Sequence, residues 1–232
     1  MARKRMTKKE LKQPDEILTY LGTLTKFLSD QRTKVAVFVL AALLLVTAIY
    51  GYRAFVYQRY MRENGQLWSI VSKIPENIRN ETDKQQQDLI IVKSELEDFS
   101  SKLRSKSVQL FTMYYIANVN FRLGYPTNAV EEFRHILDEE EAPEVLRYIT
   151  NLGLGYSYET LNRYEEAIQS YRTAENIAVG SYNKGSALYG MARCYELMGN
   201  MDMARKIYTD IIEKTPDYPD IEFIKIRLST IS

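Results

Sequence analysis

The chain has 232 residues, 45% of them apolar, which suits one globular domain with something added and excludes a chain disordered throughout. Its formal charge of +1 is unevenly distributed: residues 1 to 53 hold 10 Lys/Arg against 4 Asp/Glu, leaving 21 against 26, or −5, for residues 54 to 232. A mildly acidic body argues against a general nucleic-acid binder, whose affinity rests on neutralising phosphates. One cysteine, Cys194, excludes an intramolecular disulfide, and one histidine, His135, excludes histidine clusters for a metal or proton relay.

The first predicted element is an amphipathic helix. In PDEILTYLGTLTKFLSDQR, Ile17, Leu21, Leu24 and Leu28 share a face with Leu18 and Phe27 beside them, and Pro14, Asp15 and Glu16 suit a helix start. Such a helix lies on the cytoplasmic membrane surface, either as a leash for the basic tail or as a dock for a membrane partner. Residues 35 to 52, VAVFVLAALLLVTAIYGY, carry no charge. They make a helix of about 27 Å, near the hydrocarbon thickness, and so predict a transmembrane span. Arg32 and Lys34 precede it, with Arg3, Lys4, Arg5, Lys8, Lys9 and Lys12 further upstream. The positive-inside rule then assigns residues 1–34 to the cytoplasm and residues 54 to 232 to the far side. Val46-Thr47-Ala48 loosely resembles a signal-peptide cleavage site, but the 34-residue basic lead and the interfacial group Ile49, Tyr50 and Tyr52 favour a retained anchor.

Residues 53–105 read as a linker and a degenerate first hairpin. Leu67, Trp68, Val71 and Ile74 precede a polar loop, PENIRNETDKQQQ, and Leu89, Val92, Leu96, Phe99 and Leu103 follow it at alternating spacings of three and four. Residues 106–216 then hold a repeat. Ala129, Ala167 and Ala204 lie 38 and 37 residues apart; a small residue stands twelve before each (Ala117, Gly155, Ala192) and an aromatic four after (Phe133, Tyr171, Tyr208). This resembles the tetratricopeptide repeat, in which small residues of helices A and B meet and a large aromatic fills the gap. With the apolar run at 35–52 and no segment that alternates apolar and polar long enough for a sheet, the expected fold is all-α: a single transmembrane helix followed by a solenoid of three repeats. A capping helix at 217–232, after Pro219, presents Ile221, Ile224, Leu228 and Ile231 on one face to close the stack. Asn120 departs from the pattern where an aromatic is usual, and each copy exceeds the usual length of about 34.

The extra residues fall at the junctions. The acids of DEEEAPEV, residues 138 to 145, suit a helix start beside Pro143 better than a cation site. VGSYNKG, residues 179 to 185, has the glycine chemistry of a turn. ALYGMARCYELMG surrounds Cys194 as a helix interior would, which predicts a buried structural thiol.

Stacked A helices line a concave face. By repeat position, Tyr114, Asn118, Phe121 and Arg122 of the first copy, Tyr156 and Glu159 of the second, and Tyr189, Arg193 and Glu196 of the third are expected there. Tyrosine and arginine are anchor residues of interfaces, so this is the expected groove for proteins or extended peptides, although several of the tyrosines also suit packing between repeats. A clamp for a C-terminal carboxylate is not expected, because Tyr114, Asn118, Gly153, Ser186 and Gly190 stand at its positions and only the asparagine fits. With one histidine, one cysteine and no glycine-rich phosphate loop, no catalytic residue, cofactor, metal or small-molecule substrate is expected.

The whole arrangement resembles the ancillary Sec translocon subunit family (YfgM-like), with Lys26-Phe27-Leu28 before the span and Lys225, Ile226, Leu228, Ser229 and Ile231 at the end. The resemblance implies a single-pass bacterial inner-membrane protein with periplasmic repeats that contact Sec translocon subunits, secretory chains and periplasmic chaperones. An envelope scaffold for cell division or membrane-complex assembly would use the same groove.

Overall fold

The computed structural model describes residues 16–76 and 82–231, the side chains of 16–18 excepted, and divides into two compact units, Met1–Gln58 and Arg59–Ser232. The upstream basic cluster from Arg3 to Lys12 and the side chains of Ile17 and Leu18 therefore lie outside the described residues.

In the first unit, helix α1 (Glu16–Asp30) is followed almost without interruption by α2 (Arg32–Val71), with only Gln31 between them. Leu21, Leu24, Phe27 and Leu28 of α1 are all exposed. Helix α2 is long and apolar enough to cross a membrane by length and composition. Its 40 residues, about 60 Å of helix, do not stop at the end of the apolar run. The linker expected from residue 53 is instead helical: no proline interrupts the stretch, and Gly51 and Gly65 sit within the helix.

The second unit begins with the end of α2 and α3 (Asp83–Lys102). Leu67 joins Leu89, Val92 and Leu96 of α3, with Val108, Ile116 and Val119 of the next helix, in one apolar cluster. The polar loop is shorter than the sequence suggests, because DKQQQ belongs to α3. Thr82 caps that helix, accepting from Gln85 N–H while the Gln85 side chain accepts from Thr82 N–H, a reciprocal capping box.

Three antiparallel hairpins follow: α4 (Lys106–Arg122) with α5 (Pro126–Leu137), α6 (Glu144–Thr160) with α7 (Tyr164–Ile177), and α8 (Gly180–Leu197) with α9 (Met201–Lys214). Each hairpin turns through one left-handed residue, Gly124 (φ 83°), Asn162 (φ 57°) and Gly199 (φ 75°). The following N–H closes a bond five residues back in every copy: Tyr125 to Asn120 O, Arg163 to Tyr158 O, Asn200 to Tyr195 O, at 2.8–2.9 Å. Glycine or asparagine is needed there because other residues are strained at positive φ.

The aromatics of the B helices hold consecutive hairpins together. Tyr171 is fully buried with Gly155 of its own hairpin on one side and Gly190 of the next on the other; a Cβ on either glycine would lie 2.5 or 2.7 Å from its ring. Phe133 lies against Gly153 in the same way, at 2.5 Å. Helix α10 (Ile221–Thr230) extends the series: Ile224 is buried and Ile221, Leu228 and Ile231 pack on the common core. It starts two residues after Pro219, and Phe223 and Ile226 face solvent.

Between α5 and α6 the acidic run is not at the helix start. Helix α6 begins at Glu144 after Pro143, and Arg147 gathers the loop by donating to the carbonyls of Leu137, Glu139, Glu140 and Ala142 at 2.7–3.4 Å. Lys106 pairs with Glu139 at 2.7 Å. His135 is exposed in the last turn of α5.

Asn120, the departure from the repeat pattern, is buried and donates through Nδ2 to both carboxylate oxygens of Glu132, at 2.9 and 3.0 Å, while its Oδ1 has no donor. Burial raises the Glu132 carboxyl above its ordinary 4.5, against the Asn120 bond and Lys93, with Glu97 and Glu131 adding to the rise. A carboxyl raised in the folded state contributes stability at low pH that is lost as pH climbs from 4.5 through the folded value. Glu132→Gln is therefore expected to raise the urea midpoint at pH 7 and to flatten its fall above pH 4.5; an unchanged pH profile would dismiss this carboxyl as the source.

Candidate protein-binding groove

The A helices α4, α6 and α8 carry the expected groove residues at nearly the same register. On α4, Tyr114 is half-buried against Tyr115 and Phe133, with ring centroids at 5.5 and 5.9 Å. Burial pushes its phenol up to about 12, so it serves as a neutral amphipathic contact rather than a proton carrier. Asn118, Phe121 and Arg122 meet Phe133, Gly153 and Tyr156 around a cleft of about 280 Å³. Phe133 and Gly153 were not among the expected groove residues. Their signal was the repeat itself, since Gly153 and Gly190 lie 37 residues apart and each faces the aromatic of the preceding B helix.

Tyr156 is 39% exposed and packs edge-on against Tyr171 at 5.6 Å. One turn further, Glu159 is engaged within the protein. Arg193 Nε and Nη2 donate to its two oxygens at 2.5 and 2.6 Å, and Tyr171 Oη donates at 3.0 Å. The Arg193 guanidinium also lies over the rings of Tyr156 and Tyr189, at 5.5 and 5.1 Å. Burial alone would favour the neutral guanidine, but the Glu159 bonds and the neighbouring oxygens outweigh it and hold Arg193 charged. Cys194 is buried beside this group, and burial raises its thiol to about 12, which leaves it an inert core residue.

Tyr189 continues the aromatic lane, close to Tyr208 at 6.3 Å and edge-on to Phe223 at 6.1 Å. Glu196 does not line open groove as the repeat position suggests. Its side chain is 7% exposed and bound by Arg227 of α10 at 2.5 Å. The capping helix, which supplies both Phe223 and Arg227, is thus part of the same face.

The resulting surface is a shallow lane of aromatic rings in which Glu159 is paired with Arg193 and Glu196 with Arg227, and Arg122 lines the cleft. Among the described residues no group of three or more His, Cys, Asp or Glu could hold a metal. This defines a helical-hairpin solenoid of the class that presents surfaces to other proteins.

Residues 146–215 match the tetratricopeptide repeat family. Two crystal structures of the nearly identical TPR-like repeats of a Podosopora anserina protein assigned as a kinesin light chain, one a single-substitution variant, align at TM-score 0.54 and 17% identity, covering 64% of this chain and 80% of theirs. At that identity the likeness is one of fold. No curated protein matches the chain. Residues 146–215 thus carry tetratricopeptide repeats, a repeat class that generally serves as an interaction scaffold.

Proposed function

We propose that this is a membrane-anchored interaction module whose groove captures proteins or extended peptides, acting as a translocon-associated, chaperone-like accessory in protein export. The observation that carries the binding role is the aromatic lane of Tyr114, Phe121, Tyr156 and Tyr189, which reaches solvent and opens into a cleft beside Tyr156. Tyr156 is exposed and the other three rings are half-buried, and rigid aromatics of this kind supply interface area at low entropic cost. Anchoring is supported by the apolar run in α2, and an N-terminus in the cytoplasm by the basic residues before it. The repeats would then stand in the periplasm of a bacterial cell. The export role rests on the resemblance to the ancillary translocon subunit family.

In-cell photo-crosslinking from Tyr52 and Tyr156 tests this. Translocon subunits from Tyr52, with secretory chains or chaperones from Tyr156, are the expected products. Division or other envelope proteins at both positions would identify a scaffold instead. Tyr156→Ala is expected to keep the fold, since the side chain is partly exposed, and to lower capture by tenfold or more. Unchanged capture would remove Tyr156 from the binding surface.

A further inference from the structure

Helix α1 has two unlike sides. At about 100° per residue, Tyr20, Leu21, Leu24, Phe27 and Leu28 fall within about 120° of its circumference, and Thr19, Gly22, Thr23, Lys26, Ser29 and Asp30 take the opposite side. All five apolar side chains are exposed. A helix of 15 residues is marginal in water by itself, and Gly22 with Thr19, Thr23 and Thr25 lowers its propensity further. The helix therefore needs a surface under its apolar side.

Its place in the chain points to a bilayer. Only Gln31 separates α1 from α2; its N–H donates to Phe27 O at 3.1 Å and its carbonyl accepts from Val35 N–H at 3.0 Å, and Val35 opens the uncharged run. A leaflet crossed by that run is met by α1 at high effective concentration. The charges suit an anionic leaflet: residues 1–34 hold 9 Lys/Arg against 4 Asp/Glu, with Lys26, Arg32 and Lys34 within or just beyond α1. The margins of the apolar side suit lipid better than a second copy of the helix. A two-stranded coil uses a narrow apolar row flanked by charges that pair across it. Here Tyr20, Phe27 and Thr25 flank the row of Leu21, Leu24 and Leu28, so no such pair is offered, whereas aromatic rings at the edge of an apolar face settle at headgroup level.

We propose that α1 binds anionic lipid: its apolar side enters the headgroup region of the leaflet where the span begins, and negative headgroups hold it there through the basic residues around it. The proposal rests on α2 crossing a bilayer and goes beyond the anchor by giving the chain a preference for bilayer charge.

The test uses the full chain reconstituted at one copy per nanodisc, with a nitrobenzoxadiazole label on Leu24→Cys, Thr23→Cys or Leu45→Cys; the native Cys194 is buried and escapes labelling. In discs of phosphatidylcholine with about 30% phosphatidylglycerol, lipid-borne doxyl groups are expected to quench the label at Leu24→Cys at least fivefold more than at Thr23→Cys. That contrast is expected to fall at least threefold in pure phosphatidylcholine or in about 1 M salt, which screens the attraction. Lys26→Gln with Arg32→Gln and Lys34→Gln is expected to remove the preference for anionic discs while Leu45→Cys stays quenched. No lipid quenching at Leu45→Cys would overturn the anchor and the proposal together. Quenching there, with equal and weak quenching at Leu24→Cys and Thr23→Cys, would overturn the proposal and leave the anchor standing. Burial of Leu24→Cys only when two copies share a disc, or only in native membranes, would give the face to a second copy or to a membrane protein and overturn the lipid assignment. Equal contrast in neutral and anionic discs would overturn the charge preference.

Discussion

Tyr171→Ala is expected to destabilise the repeat body by about 3–5 kcal/mol, the range for truncating a buried aromatic. Tyr171 is among the largest fully buried side chains, and its ring fills the space between Gly155 of one hairpin and Gly190 of the next. Neither glycine has a side chain to move into the void, so the two A helices must either lose their contact or collapse across it. The hydroxyl matters less than the ring. Tyr171→Phe removes the bond donated to Glu159 and the longer one accepted from Arg193 Nη2 at 3.3 Å, leaves the Glu159–Arg193 pair in place, and should lower stability by about 1–2 kcal/mol. Urea denaturation followed by far-UV circular dichroism separates the two variants. A loss below about 1 kcal/mol for Tyr171→Ala would mean that neighbouring repeats repack without the ring.

Arg193→Ala comes second, at about 3 kcal/mol, the lower end of the range for breaking one side of a buried ion pair. The side chains of Arg193 and Glu159 are 26% and 16% exposed, so solvent screens them only partly. Removing the guanidinium strands Glu159 beside Tyr171 and Cys194 and takes the cation from above Tyr156 and Tyr189. Glu159→Gln in the same chain should recover part of the loss, with a coupling of about 1 kcal/mol or more in the double-mutant cycle. Arg193→Lys is expected to restore little, because an ammonium cannot donate to two carboxylate oxygens while lying flat between two rings. Additive single effects would show that the pair acts as two independent surface charges.

These two groups show what was readable along the chain. The small residue, alanine and aromatic of each copy recur at fixed separations, so the Ala117–Ala129–Phe133 pattern and its two counterparts announce hairpins before any coordinates. Gly153 and Gly190 carry an equally regular signal, 37 residues apart, but only the packed structure shows them as the seats of Phe133 and Tyr171. Thr82 and Gln85 spelled a capping box inside what looked like loop. Asn162 took the left-handed turn position that glycine holds in the other two copies.

Glu196 illustrates the limit. Its repeat position points toward the groove, yet its partner Arg227 is 31 residues away on a helix that sequence alone presented only as an apolar cap. The same holds for Glu132, whose carboxyl is raised by burial while Asn120 across the hairpin and Lys93 from α3 pull it down and Glu97 adds to the rise.

The sequence by itself determined the helical class, the apolar run near the N-terminus, the three-fold register of the repeats and the residue types that fill them. Those follow from local periodicity and from matching small residues to large ones, which short-range sterics impose. Only the tertiary structure decided which charges neutralise each other and where the aromatic lane opens into a cleft. Both depend on side chains 31 to 38 residues apart arriving within hydrogen-bond or van der Waals distance, and no spacing rule along the chain specifies that approach.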